Sequence, residues 1–238
     1  MGSKNRHAKE LLPIILKDRK EGQFYVEPFV GGFNMIDKVD GNRIANDINP
    51  YLIDLYKFLS LGWEPPPTIS EKEYNEIKND MQNFPSHYVG FVGFGCSFAG
   101  KFFGGYARSN DAKGNPRNHC DESRRNLLKQ ISKLSCVAIF NFDYWRLEIP
   151  AESIIYCDPP YVGVTGYKNK FNHDDFWNWV RNLSKMGHSV FISEYEAPAD
   201  FEAIWEKKII NTLDSQKSKK TNTEKLFVIR GGKNLMSN

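Results

Sequence analysis

Most of what marks a membrane, secreted or disordered chain is missing here. In 238 residues no apolar run approaches the roughly 18 residues needed to cross a bilayer, and mean hydropathy is −0.54. The N-terminus has no basic, apolar and small-residue succession of a secretory signal. The four cysteines (Cys96, Cys120, Cys136 and Cys157) form neither a CxxC pair nor a regular framework, which argues against a disulfide scaffold. Together with the scattered histidines they show no zinc spacing, so no metal is expected. Internal repeats and low-complexity tracts are absent too. These absences predict a soluble, cytoplasmic protein with reduced thiols and no membrane partner. At roughly 150 residues per domain, the length admits one large α/β domain, or a core with a smaller insert.

Net charge is only +3, too small by itself to imply a polyanionic partner, but the charge is uneven. From Lys101 to Lys133 there are eight basic residues against three acidic ones, and from Lys207 to Lys233 eight against two. Two basic segments thus stand on an acidic body, the footprint expected if they meet a polyanion. Two solvated faces would give the same count.

The first 60 residues read as helix, strand, glycine loop, helix, strand and helix. Ala8, Leu11, Leu12, Ile15 and Leu16 recur at helical spacing, and Glu21-Gly22 is expected to close that helix before the extended run Phe24-Tyr25-Val26. A helical stretch around Met35 to Val39, a short strand at Ile44-Ala45 and a helix from Pro50 through Leu59 follow. Pro65-Pro66-Pro67 breaks the pattern. The alternation resumes with strand-like runs at Ser135 to Phe140 and Ile154 to Cys157, a helix from about Asp174 to Met186, and strands at Ser189 to Ile192 and Leu226 to Ile229. The expected fold is α/β, a mostly parallel sheet in two parts (1–62 and 135–238) interrupted by a mainly helical insert (63–134).

Two loops that follow predicted strands carry the chemistry, because open α/β sheets bind ligands at the strands' carboxyl ends. The first is Glu27-Pro28-Phe29-Val30-Gly31-Gly32, with Asp47 twenty residues beyond Glu27 at the next strand end. Glycines let backbone approach a ligand closely, and an acid at that second position accepts from ribose hydroxyls. A Gly-Gly turn is also commonly just a turn. The second loop is Asp158-Pro159-Pro160-Tyr161. Consecutive prolines fix two φ angles and remove two donors, leaving rigid carbonyls between a carboxylate and an aromatic ring. That suits an exocyclic amine, whose two N–H groups Asp158 and the Pro159 carbonyl would accept while Tyr161 stacks on the base. A proline-stiffened turn beside a chance acid is the alternative.

With these residues the sequence resembles the Dam-like DNA adenine methyltransferases, which order their motifs as cofactor loop, target-recognition insert, then DPPY. The resemblance spans nearly the whole chain. Gly2-Ser3-Lys4 is similar to the family's N-terminal cofactor motif, Phe29 to Gly32 to its FxGxG loop, and Asn46-Asp47-Ile48-Asn49 to its second-strand motif. Asn141-Phe142-Asp143-Tyr144 occupies the place of an aromatic and an acid near the cofactor adenine, Ile192-Ser193-Glu194-Tyr195 resembles the strand after the catalytic loop, and Thr223-Glu224-Lys225-Leu226 the ending. DPPY is the specific signal. The family's third glycine is Phe33 here, and the N-terminal motif begins almost at residue 1.

The resemblance implies a Rossmann-like S-adenosylmethionine-dependent sheet, with Asp158, Pro159, Pro160 and Tyr161 as the catalytic loop. Lys4, Phe29, Gly31, Asp47, Ile48, Phe142, Asp143 and Asp158 would line the cofactor. The expected substrate is double-stranded DNA with a flipped adenine, and no obligate protein partner is evident. The compact length fits a stand-alone enzyme of a restriction-modification system or a phage genome. Attack by a cytosine ring carbon would need a cysteine nucleophile, typically in a Pro-Cys dipeptide, and none exists. Methylation of cytosine's exocyclic amine, an RNA base or a protein glutamine stays open, as does an inactive DNA-binding relative. Tyr88 to Tyr106 holds seven aromatics, most of them candidates for a small core; Lys101, Tyr106, Arg108, Arg124 and Arg125 are the better DNA contacts. Lys217, Lys219 and Lys220 would hold phosphates without reading sequence.

Overall fold

The computed structural model describes residues 4–161, 171–210 and 221–231. Short β-branched and aromatic runs become strands: β1 (Tyr25–Glu27), β2 (Arg43–Asn46), β3 (Val137–Phe140), β4 (Ile154–Cys157), β5 (Ser189–Glu194), β6 (Phe201–Ile210) and β7 (Thr221–Ile229). Among the described residues these form one sheet in the order β3-β2-β1-β4-β5-β7-β6. β1 to β5 run parallel, and β7 inserts antiparallel between β5 and β6. The wholly buried β1, β2 and β4 occupy the middle, whereas β3, at the edge, is half-exposed. This follows from covering both faces of a parallel sheet with helices, and it is the mostly parallel α/β sheet expected from the sequence.

The helices are α1 (Ala8–Ile15), α2 (Pro50–Ser60), α3 (Glu71–Asn79), α4 (Ser86–Gly90), α5 (His119–Ile131) and α6 (His173–Lys185). Their starts are written locally. Asn49 caps α2 by accepting from the Leu52 N–H with Pro50 at the first position, Ser70 caps α3, Asn118 caps α5 and Asn172 caps α6. One face of the sheet carries α1, α2 and the insert, through a cluster that includes Leu11, Leu52, Leu55, Tyr74, Phe91 and Cys120. The other carries α6, whose Phe176, Val180 and Leu183 pack on Ile155, Cys157 and Ile192. Residues of the insert thus share a continuous core with the sheet. Buried Arg43 on β2 binds the insert's end back, donating to the carbonyls of Ile36, Lys133 and Ser135 at 3.1, 2.9 and 2.7 Å.

Three local expectations need correction. The first helix ends at Ile15, not at Glu21-Gly22: the charged run after it offers nothing to bury, and Arg19 turns inward to bond the carbonyls of Gln23, Asp40 and Asn42. The stretch 35–39 holds only a single 3-10 turn, Ile36–Lys38. The last strand begins at Thr221, five residues before Leu226, because its polar first half pairs with β6 rather than with the core.

Backbones approach closely between α2 and α4. A Cβ on Gly90 would stand 2.1 Å from the Tyr51 carbonyl oxygen and 3.2 Å from Leu55 Cβ. Since the obstacle is backbone, Gly90→Ala is expected to cost about 3 kcal/mol, the upper end for overpacking. Urea unfolding of the variant should show a lowered midpoint at unchanged slope; an unchanged midpoint would mean that the two helices separate freely.

Candidate active site

The site gathers at the carboxyl ends of the parallel strands. At the end of β1 the chain turns through Gly31, whose φ of +51° is left-handed. Phe33, at the family's third glycine, also adopts a positive φ, +58°. It does so fully buried and stacked on Tyr56 at 3.8 Å, so ring packing sustains a turn that glycine would give freely. Asp47, at the end of β2, organises the loop: its Oδ2 accepts from the Gly31 N–H at 3.0 Å and its Oδ1 from the Asn49 N–H at 2.9 Å. Burial pushes its carboxyl up, against the pull of these two N–H groups.

The loop after β3 is clamped beside it. Asn46 donates to the Phe142 carbonyl at 3.0 Å and accepts from its N–H at 2.9 Å, and Asn141 donates to the Asp47 carbonyl at 2.7 Å. Large apolar side chains on these linked loops remain open to solvent, Ile48 at 59%, Phe142 at 46% and Trp145 at 55%. Phe142 is thus no core residue. Phe29 is half-buried against Tyr144, Phe171 and Phe176, so its ring belongs to the aromatic cluster under the loop. Asp143 opens the short 3-10 turn Tyr144–Arg146. Asn46 was missed at the sequence level as the clamp that brings these pieces together.

After β4, Asp158 and Tyr161 meet partners from both ends of the chain. Lys4, in the 3-10 turn Lys4–Arg6, places its Nζ 3.2 Å from Asp158 Oδ1. The same ammonium donates to Glu224 Oε1 and to the Tyr161 hydroxyl, and the Tyr161 hydroxyl donates to Glu224 Oε1. Lys4 is buried rather than solvated. Burial works to lower its pKa, but Asp158 and Glu224 outweigh that and hold it above the ordinary lysine value. Burial raises Asp158, Lys4 pulls it back and Glu224 pushes it up again. The Tyr161 phenol is held far above its ordinary value, first by burial and then by the two acids, and its ring meets Tyr195 edge-on at 4.6 Å.

Two further carboxyls line this end of the sheet. Glu27, on β1, and Glu194, on β5, each keep one buried oxygen without a hydrogen-bond partner among the described residues. Burial pushes Glu194 up to about 7 and Glu27 well above the carboxylate range. Neither Glu194 nor Glu224 carries a sequence signal beyond its place in a family-like ending or strand. A cationic, hydroxyl-rich ligand with a flat base fits these donors and acceptors: unpartnered carboxyl oxygens, an acid at the second strand end and exposed apolar side chains beside it.

The proposed DNA contacts divide. Lys101 is exposed, and of the seven aromatics between Tyr88 and Tyr106 Phe98 stands out at 61% exposure. Tyr106 donates to the Ile69 carbonyl at 2.7 Å, Arg108 pairs with Glu71, Arg124 with Glu64, and Arg125 with Asp121. The exposed pairs of Arg108 and Arg125 are weak enough to exchange for phosphate, whereas Arg124 is half-buried and also donates to the Pro65 carbonyl at 2.9 Å. Lys217, Lys219 and Lys220 lie outside the described residues, as do Gly2 and Ser3. Among the described residues no helix is long and apolar enough to cross a membrane, and no cluster of three His, Cys, Asp or Glu residues is placed to hold a metal.

Comparison with known proteins shows the family. A family model described as D12 class N6 adenine-specific DNA methyltransferase matches residues 1–84 and 68–222. The type II methyltransferase M.MjaIII of Methanocaldococcus jannaschii is 26% identical over 81% of this chain and 81% of its own. The modification methylase StsI of Streptococcus sanguinis is 25% identical over 82% of this chain, which spans 33% of that protein. Two solved structures align at low TM-scores. HI0767 from Haemophilus influenzae gives 0.34 at 8% identity, covering 95% of this chain and 90% of that one. SMU.472, complexed with SAH, gives 0.37 at 9% identity, covering 94% and 52%.

Proposed function

Because the chain belongs to the D12 class N6 adenine-specific DNA methyltransferases, enzymes that methylate adenine in DNA from S-adenosylmethionine, we propose that its target adenine leaves the duplex and is received by the Asp158 to Tyr161 loop. The adenine amine is a poor nucleophile, since its lone pair is delocalised into the ring. Asp158 and the Pro159 carbonyl accept its two N–H groups and favour the tetrahedral nitrogen that can attack. Pro160 keeps the loop rigid, and Tyr161 lies against the base. S-adenosylmethionine, when bound, supplies an electrophilic sulfonium methyl. Asp47 accepts from the ribose hydroxyls with the lone pairs that Gly31 and Asn49 leave free, while Ile48 and Phe142 offer apolar contact to the cofactor base. Gly31 backbone, Lys4, Asp143 and the packing of Phe29 hold the remaining walls. The chain's part in the rate is orientation and a preorganised acceptor field.

Residues 63–134 act as the recognition insert on double-stranded DNA, with Lys101, Phe98 and the exchangeable arginines Arg108 and Arg125 facing it, Arg124 beside them and Tyr106 bracing them. Lys217, Lys219 and Lys220 would add phosphate contacts. The enzyme works in the cytoplasm, without an obligate protein partner, as a modification methylase. The observation that supports this reading most is the Asp158 carboxylate, held by a buried lysine at the end of β4 within a DPPY loop.

Methyl transfer from labelled S-adenosylmethionine to unmethylated DNA, followed by nucleoside analysis, should yield N6-methyladenine alone. Once the target sequence is read from that product, a duplex with 2-aminopurine at the target adenine should brighten several-fold on binding, as an unstacked fluorescent base does. Full methylation of the unsubstituted duplex with no brightening of the 2-aminopurine duplex would overturn the flipped-base reading.

A further inference from the structure

Glu224 lies on β7, 3% exposed, 220 residues from the lysine that it binds and 63 from the tyrosine. Its Oε1 receives both the Lys4 ammonium and the Tyr161 hydroxyl, although neither the reacting base nor the cofactor needs a carboxylate at that point. The antiparallel slot of β7 beside β5 brings it there. The single ammonium of Lys4 is therefore shared between two carboxylates, Asp158 at 3.2 Å and Glu224.

That sharing has a chemical consequence. A carboxylate fully neutralised by an ammonium is a poor acceptor for a neutral amine, whereas one with no cation beside it would take up a proton when buried. Glu224 draws the ammonium partly away and so leaves Asp158 lone pairs to spare, while Lys4 still favours its charged form. We propose that Glu224 is a positioning residue for methyl transfer, which divides Lys4 between itself and Asp158 and fixes the Tyr161 ring by its hydroxyl. The proposal rests on Asp158 as the amine acceptor.

The groups that face Asp158 set the signs. They are Lys4 from the N-terminal turn, Glu224 from β7, Glu194 from β5, Glu27 from β1, Tyr156 and Cys157 from β4, and Tyr161 from its own loop. Lys4 is the cation among them. Glu224→Gln keeps the shape and an acceptor oxygen but removes a like charge, so Asp158 ionises more easily. Lys4→Met removes the opposite charge, so it ionises less easily. The acid limb of the kcat profile, below which Asp158 is protonated, should move to lower pH in E224Q and to higher pH in K4M. At the plateau E224Q should lose on the order of tenfold in kcat through misorientation, with KM for DNA within about twofold.

A merely structural Glu224 would shift neither limb in opposite senses, so unshifted limbs or limbs moving the same way in the two variants overturn the proposal. E224D is the second variant, usable if E224Q does not fold: it keeps the charge but withdraws it from Asp158 and Lys4, so kcat should fall while the acid limb moves to lower pH by less than in E224Q. Wild-type kcat in E224D also overturns the proposal. Failure of the underlying reading shows separately, as near wild-type turnover in D158N whatever the Glu224 variants do.

Discussion

Asp158→Ala is expected to lose methyl transfer by roughly three orders of magnitude, the scale set by removing a preorganised group that acts on the reacting atoms, while DNA affinity stays within a few-fold. The carboxylate stands at the end of β4 with Lys4 at 3.2 Å, and in the proposed mechanism it receives the exocyclic amine. Its loss removes the acceptor that draws the amine toward tetrahedral geometry, but it touches none of the exposed basic residues of the insert. Truncation also leaves a buried lysine with one carboxylate fewer, and breaking a buried pair commonly costs about 3–5 kcal/mol. Glu224 still pairs that lysine, so the variant should fold with a lowered unfolding midpoint. Asp158→Asn separates the effects: it keeps the volume and one acceptor, and should recover stability but little turnover. Single-turnover transfer on saturating DNA reads the chemistry, and a gel-shift titration reads the binding. Turnover in D158A equal to that of the unaltered enzyme would sink the mechanism.

Asp47→Ala should weaken S-adenosylmethionine binding on the order of 100-fold, about 2.7 kcal/mol. Two losses add. The N–H groups of Gly31 and Asn49 lose their acceptor, and each buried donor left unpaired costs about 1–3 kcal/mol, which opens the loop between β1 and the cofactor. The ribose hydroxyls lose their acceptor as well. Asp47→Asn should fall between, because an amide has one acceptor oxygen for two N–H donors and turns a donor toward one of them. Calorimetric titration with S-adenosylhomocysteine measures this without any turnover. Affinity unchanged in both variants would remove Asp47 from the cofactor site and return it to a loop-closing role alone.

Much of the molecule was legible from local pattern. The Pro50 helix, the strands around Tyr25, Ile44, Ile154 and Ser189, and the helix near Asp174 follow from apolar spacing and caps that lie within a few residues of one another. The Asp158 to Tyr161 loop was legible for a similar reason, since a carboxylate, two prolines and a tyrosine in succession restrict backbone and chemistry together. Composition was less informative within the insert. Seven aromatics between Tyr88 and Tyr106 look alike in sequence, yet Phe91 is wholly buried and Phe98 is exposed, because a turn with Ala99 at φ +53° aims the chain outward there.

The sequence by itself determined an α/β chain with glycine- and proline-marked loops at strand ends, an insert rich in cations and aromatics, and the Asp-Pro-Pro-Tyr loop, all properties of neighbouring residues. Tertiary structure alone decided which groups tune that loop. Lys4 has no local reason to be buried, and Glu224 no local reason to be anything but a strand residue. They meet at Asp158 and Tyr161 because β7 enters the sheet antiparallel next to β5 and the N-terminal turn closes over the same end. Pairings across some 220 residues depend on strand order and packing, which no window of sequence contains. The conformation of Phe33 belongs to the same class: a positive φ at a phenylalanine is unfavourable locally, and the Tyr56 ring stacked against it, with Gln130 donating to its carbonyl at 3.2 Å, helps the turn hold.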